Sequence, residues 1–171
     1  MKVYKDIVSG DELFSDSYPS ELKDGMYYEV QGEFISSSLD IDDKLIGGNK
    51  SAEDPADEGL DSTTVTGINV VLAQNLQETS YTKAQYKVWL KNYCKKLEEH
   101  LLKKNPERVS EFKKSMQTLA VRILKDFDDF QFYTGESMDP DGMVILTYYS
   151  KEDQTNPRFM FIKDGVEEVK Y

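Results

Sequence analysis

Two stretches in the second half of the chain carry apolar side chains at helical spacing. In the first stretch they recur every three or four positions, at Tyr86, Trp89, Leu90, Tyr93, Leu97 and Leu101. The second stretch repeats the pattern at Val109, Phe112, Met116, Leu119, Ala120, Ile123 and Phe127. This spacing puts the apolar residues on one face of each helix. We expect both faces to lie in the core.

Polar residues at the ends of these stretches mark the helix limits. Thr82 and Gln85 have the spacing of a capping box, in which each side chain bonds the backbone N–H of the other residue. Asn105, Pro106 and Glu107 favour the end of one helix and the start of the next. The sequence therefore predicts an antiparallel helical hairpin over 81–128.

The segments on both sides of the hairpin have strand character. β-branched and aromatic residues concentrate in 3–8, 26–36, 63–76, 130–135, 143–150, 158–164 and 166–170. In the third of these we expect Val70 and Val71 to belong to a strand. The segment 15–25 carries turn residues and has room for one helical turn. Strands around a helical hairpin predict one α+β domain over 1–171 with antiparallel sheets.

The stretch 37–63 has a different composition from the rest of the chain. It holds two lysines and few apolar residues against eight acids: Asp40, Asp42, Asp43, Glu53, Asp54, Asp57, Glu58 and Asp61. Little apolar burial is available to offset an ordering cost of roughly 1–2 kcal/mol per residue. We expect a long flexible acidic loop that is mobile over about 48–62.

Composition narrows the classes of function. The chain has 171 residues and a net charge of −11, which disfavours nucleic acid and anionic membranes and suits cations or basic protein patches. One Cys and one His cannot supply an internal disulfide or a structural zinc site. The N-terminus has no long apolar stretch, and no run of apolar residues is long enough to span a membrane, so we expect neither a signal peptide nor a membrane span. We expect a soluble cytoplasmic monomer.

The segment "LIGGNKSAEDPADEG", Leu45 to Gly59, raises the question of a phosphate or cation site. It lacks the first glycine of a P-loop, and acids and a proline follow where a helix should begin. An EF-hand loop that started at Asp40 would place a lysine and a leucine at positions that require a ligand and a glycine. Two interpretations remain, namely a solvated acidic loop or a weak Ca²⁺ site formed by Asp42, Asp43 and Asn49.

The first predicted helix also has a basic face. Lys83, Lys87, Lys91 and Lys95 are spaced four apart, and the segment 82–105 holds seven lysines against two glutamates. This face is either an ordinary solvated surface or a docking site for an acidic surface such as a tubulin tail. The net negative charge of the chain weakens a nucleic-acid interpretation.

The single cysteine, Cys94, lies in the same helix. Nearby lysines would lower the pKa of a thiol, whereas partial burial would leave it inert. Without a second cysteine, an internal dithiol cycle is excluded. No catalytic constellation is evident, and we expect a non-enzymatic protein with no obligatory cofactor.

Several long motifs resemble one known family. "LIGGNKSAEDPADEG" and "FDDFQFYTGESMDPDGMVILTYY" resemble the two signatures of the translationally controlled tumour protein family (TCTP, also called fortilin or histamine-releasing factor). Shorter runs, "DELFSDSY", "NPERV" and "FIKDGVEEVK", match in the same order, so the resemblance covers the whole chain. It implies a β-tent of small antiparallel sheets with a projecting helical hairpin. That fold is similar to Rab-binding exchange-accessory proteins and to methionine sulfoxide reductase B.

The resemblance also implies partners. Members of the family are described as cytoplasmic proteins with growth and survival roles that bind calcium, tubulin and microtubules, small GTPases, elongation-factor subunits and anti-apoptotic proteins. The resemblance implies that the helical section, about 80–110, is the tubulin and calcium region. The lysine face fits tubulin but not calcium, for which we favour the acidic loop. For GTPase contact the resemblance points to Glu12 and Leu72 in this sequence. A role as a guanine-nucleotide-exchange or accessory regulator is the alternative function.

Overall fold

The computed structural model describes residues 1–38 and 64–170. Its longest helices are α2 (Lys83–Lys104) and α3 (Val109–Lys125), which pack against each other and are joined through a 3-10 turn at Pro106–Arg108. Thr82 and Gln85 form the predicted capping box at the start of α2. The predicted apolar stripes are buried along both helices, with Ala120 and the two end residues Val109 and Phe127 only partly covered. A short helix, α1 (Asn69–Gln74), precedes them.

Eleven strands are present in the described residues. They are β1 (Lys2–Asp6), β2 (Glu12–Ser15), β3 (Ser20–Lys23), β4 (Tyr27–Gln31), β5 (Phe34–Ser38), β6 (Thr64–Ile68), β7 (Gln77–Thr79), β8 (Gln131–Thr134), β9 (Ile145–Tyr148), β10 (Arg158–Ile162) and β11 (Val166–Lys170). They form a three-stranded sheet, β11-β1-β2, a six-stranded sheet, β3-β4-β10-β9-β8-β7, and a ribbon, β5-β6. All pairings are antiparallel, and the predicted α+β class is confirmed.

The six-stranded sheet has one face toward the helices and one toward the small sheet. Phe132 aligns through β9 with Met160, so their side chains share a face, and the Phe132 ring lies 5.9 Å from that of Tyr86 in α2. Phe161, the next residue after Met160, points to the opposite face, because side chains alternate along a strand. There it meets Phe14 of β2, with ring centroids 4.5 Å apart. Apolar side chains therefore pack against both faces of the large sheet.

Three local expectations are wrong. The segment 15–25 contains the strand β3 instead of a helical turn, because Ser20–Lys23 pairs along its length with β4. Val70 and Val71 lie in α1, where the Asn69 Oδ1 atom accepts the Val70 N–H. The first strand ends at Asp6, before the apolar pair that follows it.

Candidate functional site

Asp6 connects the small sheet to helix α2 and to the loop before β9. It is 2% exposed, and its carboxylate accepts four hydrogen bonds. Oδ1 accepts from the Tyr93 hydroxyl (3.0 Å) and the Val8 N–H (3.0 Å). Oδ2 accepts from the Met143 N–H (2.6 Å) and the Ser9 hydroxyl (2.9 Å). A buried carboxylate is stable only when it is bonded in this way, so these four donors fix its position.

A second buried contact holds α2 against the same loop. The Trp89 Nε1–H donates to the Gly142 carbonyl oxygen over 3.0 Å. The Trp89 ring stacks on that of Tyr93, with centroids 4.9 Å apart. Tyr93 and Trp89 are four residues apart and therefore lie on one side of the helix. Because that side is fixed to the body, the opposite side of α2 faces solvent.

Arg108 secures the joint between α2 and α3. Its Nε and Nη2 atoms donate to the two carboxylate oxygens of Asp164, over 3.1 and 3.0 Å. Nη2 also donates to the Gly25 carbonyl oxygen over 3.2 Å. The side chains of Arg108 and Asp164 are 14% and 8% exposed. This two-pronged pair ties the tip of the hairpin to the turns that follow β3 and β10.

The solvent side of α2 carries the predicted basic residues, which we call the lysine stripe: Lys83, Lys87, Lys91 and Lys95. All four are exposed. In the part of the chain that the structure describes, none of them lies within 4.0 Å of a carboxylate oxygen, whereas neighbouring Lys96 pairs with Asp141 at 3.2 Å. Lys113 of α3 likewise pairs with Glu98 at 2.9 Å. Among residues 1–38 and 64–170 the stripe therefore has no acidic partner, on a chain of net charge −11.

A groove of about 240 Å³ runs beside the stripe, between α2 and the turn at Pro140 and Asp141. We call it the α2 groove. Its lining on the helix side is Gln85, Val88, Trp89, Asn92, Tyr93 and Lys96, with Tyr81 at one end. Val88 is 62% exposed, although it is apolar. This groove is not among the sites predicted from the sequence. The signal that could have indicated it is Val88, an apolar residue outside the buried stripe.

The two residues implied for GTPase contact lie on neighbouring elements. Glu12 is the exposed first residue of β2, and Leu72 is 37% exposed on α1, which packs against β2. The Leu72 side chain also lies beside Gly67, where an added Cβ would be 3.4 Å from Leu72 Cδ1. Ile35, the register partner of Gly67, is likewise 37% exposed. The structure thus places the acid Glu12 on β2 and the exposed apolar Leu72 on α1, which packs against it.

The residues predicted to hold calcium, Asp42, Asp43 and Asn49, lie outside the described residues, as does most of the acidic segment 37–63. Within 1–38 and 64–170, no group of three or more His, Cys, Asp or Glu side chains is arranged to hold a metal ion. The calcium site therefore stays a prediction.

Cys94 is an inert thiol by its surroundings. Burial, together with the charge of Glu98, raises its pKa from 9.0 to about 11. The interpretation in which neighbouring lysines lower the thiol pKa is wrong, because desolvation and the charge of Glu98 both disfavour the thiolate. Cys94 therefore has little thiolate at neutral pH.

Comparison with known proteins gives the family. A family model described as "Translationally controlled tumour protein" matches residues 1–167. The chain belongs to this family. It is 51% identical over 171 residues to the translationally-controlled tumor protein homolog of Branchiostoma belcheri, with both chains covered in full. It is 46% identical over 169 residues to the human protein, covering 98% of each chain.

Solved structures of the family share the fold. The chain is similar to the translationally controlled tumor-associated protein p23fyp of Schizosaccharomyces pombe, with a TM-score of 0.82, 40% identity and full coverage of both chains. The corresponding Caenorhabditis elegans structure gives a TM-score of 0.72 at 34% identity, covering 100% of this chain and 99% of that one. Membership of the family supports a non-enzymatic regulatory protein with protein-binding roles. No helix in the described ranges is long and apolar enough to cross a membrane.

Proposed function

We propose that the chain is a non-enzymatic cytoplasmic binding protein that docks acidic protein surfaces, with tubulin tails on microtubules as the principal partner. The observation that supports this proposal is the lysine stripe, four exposed lysines without an acidic partner in the described residues. The family's described association with tubulin agrees with it. Microtubule stabilisation follows if one molecule bridges the tails of adjacent subunits.

The physical basis of this docking is electrostatic. The four lysines of the stripe lie in a row along one side of α2, because residues four apart are neighbours on a helix surface. An extended acidic tail lying along the helix meets the four positive charges in turn. Exposed charges attract over distances set by the ionic strength, so binding should weaken steeply as salt rises.

Co-sedimentation with microtubules tests the proposal. The variant Lys87→Glu/Lys91→Glu/Lys95→Glu should lose most of the salt-sensitive binding of the wild-type chain. A matched control, Lys114→Glu/Lys125→Glu/Lys151→Glu, changes the net charge by the same amount at exposed positions outside the stripe. The control should retain binding. Equal loss in both variants, or no loss in the first, would refute a specific role for the stripe.

We also propose weak Ca²⁺ binding by Asp42, Asp43 and Asn49. The support is the chemistry of the donors, since carboxylate and carboxamide oxygens are the ligands that Ca²⁺ prefers. Titration with Ca²⁺, followed by amide resonances, should move signals of the segment Asp42 to Asn49 in the wild-type chain. The same titration of Asp42→Asn/Asp43→Asn should leave those signals in place. A wild-type chain that shows no shift at millimolar Ca²⁺ has no such site.

The alternative function is regulation of nucleotide exchange on a small GTPase. It is favoured by the arrangement of Glu12 and Leu72 on packed elements, β2 and α1. Release of a labelled guanine nucleotide from a candidate GTPase should accelerate with the wild-type chain and not with Glu12→Lys. Glu21→Lys, at an exposed acid of strand β3, is the matched charge control and should keep the effect. Release at the background rate with every candidate GTPase rules this function out.

Elongation-factor subunits and anti-apoptotic proteins stay predictions from the family resemblance. Binding to nucleic acid is not proposed, because a net charge of −11 opposes it.

A further inference from the structure

We propose that the α2 groove receives one aromatic side chain of the acidic peptide that the lysine stripe binds. The partner is thus an extended acidic segment with a Tyr or Phe among its acids, and not a uniformly acidic one. This inference rests on the proposed docking function and adds a specificity site to it.

The walls of the groove suit an aromatic ring. Tyr81 and Trp89 supply aromatic surface, and Val88 and Pro140 supply aliphatic surface on the two sides. Trp89 uses its N–H within the protein, on the Gly142 carbonyl, so its ring offers the groove apolar contact only. Aromatic rings pack favourably on one another in tilted or offset arrangements, and this adds to the gain from burial.

The volume of the groove selects one side chain. At about 240 Å³ it is smaller than the roughly 300–1,000 Å³ of pockets that hold whole small molecules. It is also open along one side, so a side chain can enter while its backbone stays on the surface of α2.

The charges around the groove differ between its two sides. On the helix side, Lys91 and Lys95 follow Val88 by three and seven positions and therefore lie on the same side of α2. Across the groove, Asp141 pairs with Lys96 at 3.2 Å. The Asp139 Oδ1 atom accepts the Asp141 N–H, which holds that carboxylate within its own turn. Within the described ranges, Lys91 and Lys95 therefore border the groove on the stripe side without a carboxylate partner, and the acids that flank the ring would lie there.

One polar group is available to orient the peptide backbone. The Asn92 carboxamide is exposed and has no partner among the described residues. Gln85, the other amide at the groove, already accepts the Thr82 N–H in the capping box. A carboxamide has both a donor and an acceptor, so Asn92 can bond a peptide N–H or C=O beside the inserted ring.

The chain carries its own reporter of this site. Trp89 is the single tryptophan, so the indole N–H resonance and the intrinsic fluorescence come from the groove wall alone. Titration with a short polyglutamate peptide that contains one central Tyr should shift the Trp89 indole resonance. The same peptide with Ser in place of Tyr should bind about tenfold more weakly, because the ring contributes burial and aromatic contact.

Two variants separate the groove from the stripe. Val88→Ser removes an apolar wall at a position that is 62% exposed, without a change of charge. It should reduce the preference for the Tyr peptide several-fold and leave the affinity for the Ser peptide unchanged. Lys91→Glu/Lys95→Glu should weaken both peptides. Val121→Ser, at an apolar position on α3 that is 68% exposed, is the matched control and should behave as the wild-type chain.

The peptide titrations distinguish a failure of the groove proposal from a failure of the docking function. Binding of both peptides with equal affinity would overturn the groove proposal and leave the docking function standing. Binding of neither peptide would overturn the docking function and the groove with it. A single-stranded RNA that shifts the indole resonance at lower concentration than the Tyr peptide would overturn the assignment of an acidic peptide as the partner.

Discussion

The Tyr93 hydroxyl donates a hydrogen bond to Asp6 Oδ1 over 3.0 Å, and 87 positions of the chain separate the two residues. Asp6 is the last residue of β1, the central strand of the small sheet, and Tyr93 is in the middle of α2. Burial raises the pKa of Tyr93 well above 10, and the charge of Asp6 and then this hydrogen bond add to the shift. This contact fixes how the helix that carries the lysine stripe sits on the body.

Asp6→Asn should destabilise the fold by about 2–3 kcal/mol, because the carboxamide N–H₂ would face donors and leave buried groups unpaired. Urea unfolding, followed by the fluorescence of Trp89, measures the change. Asp128→Asn, at an exposed position after α3, is the control and should change stability by less than about 0.5 kcal/mol. Similar changes of the unfolding free energy in the two variants would show that the Asp6 carboxylate has no special structural role.

Gly165 lies beside the Tyr93 hydroxyl that bonds Asp6. A Cβ at this position would lie 2.5 Å from Tyr93 Oη and 2.7 Å from Met143 Cε. Gly165→Ala should therefore cost about 1–3 kcal/mol through overpacking. At Gly67 the nearest atom would be 3.4 Å away, so Gly67→Ala should be neutral or should stabilise by up to about 1 kcal/mol. Thermal unfolding of the Gly165→Ala and Gly67→Ala variants tests this difference, and equal melting temperatures would contradict it.

Arg108 and Asp164 form the least exposed ion pair at the hairpin joint. Arg108→Ala should cost about 3–5 kcal/mol, because it leaves the Asp164 carboxylate buried without its partner. Arg108→Lys should recover only part of this loss, since an ammonium cannot make the two-pronged contact.

The exposed pair Arg122–Asp24, at 3.0 Å, is the matched control for Arg108. Arg122→Ala should cost less than about 1 kcal/mol, because both side chains are solvated. Guanidinium unfolding of the three variants gives the comparison. Full rescue by Arg108→Lys would show that charge alone, without geometry, holds the joint.

The raised pKa of Cys94, about 11, predicts slow alkylation at neutral pH. The rate with iodoacetamide should rise about tenfold per pH unit as long as the pH stays below the pKa, because only the thiolate reacts. A free cysteine peptide should instead level off above about pH 9. A plateau for Cys94 near pH 9 in the folded protein would contradict the effect of burial.

The same pKa has a consequence for stability. The folded-state pKa lies above the ordinary value of 9.0, so the unfolded chain releases the thiol proton first. The contribution of Cys94 to stability is present below pH 9 and is lost as the pH rises toward 11. The difference in unfolding free energy between the wild-type chain and Cys94→Ser should fall over that interval and stay constant below it.

The parts of the structure set by local chemistry could be predicted from the sequence. The capping box of Thr82 and Gln85 depends on residues three apart, and it forms as expected. The buried stripes of α2 and α3 follow from periodicity within each helix. The exposure of the lysine stripe follows from the same periodicity, because the residues opposite a buried face are solvated.

The parts of the structure that depend on contacts between residues far apart in the sequence could not be predicted. Strand β3 has one apolar residue, Leu22, which is 42% exposed, and it is a strand only because β4 offers hydrogen bonds. Val70 and Val71 have strand propensity, yet they lie in α1. Its first residue, Asn69, accepts the Val70 N–H and the Glu33 N–H at its Oδ1 atom. The sequence around Asp6 does not distinguish it from a surface acid. Its partners, the Tyr93 hydroxyl and the Met143 N–H, are far from it along the chain.

The pairing of β1 with β11 has a consequence for the order of folding. It aligns Val3 with Val169, so the small sheet joins positions from nearly opposite ends of the chain. Such a contact repays its loop-closure entropy only after the intervening residues have become compact. We expect the small sheet to form after the folding transition state. Val169→Ala should accordingly speed unfolding in stopped-flow experiments and leave the refolding rate nearly unchanged.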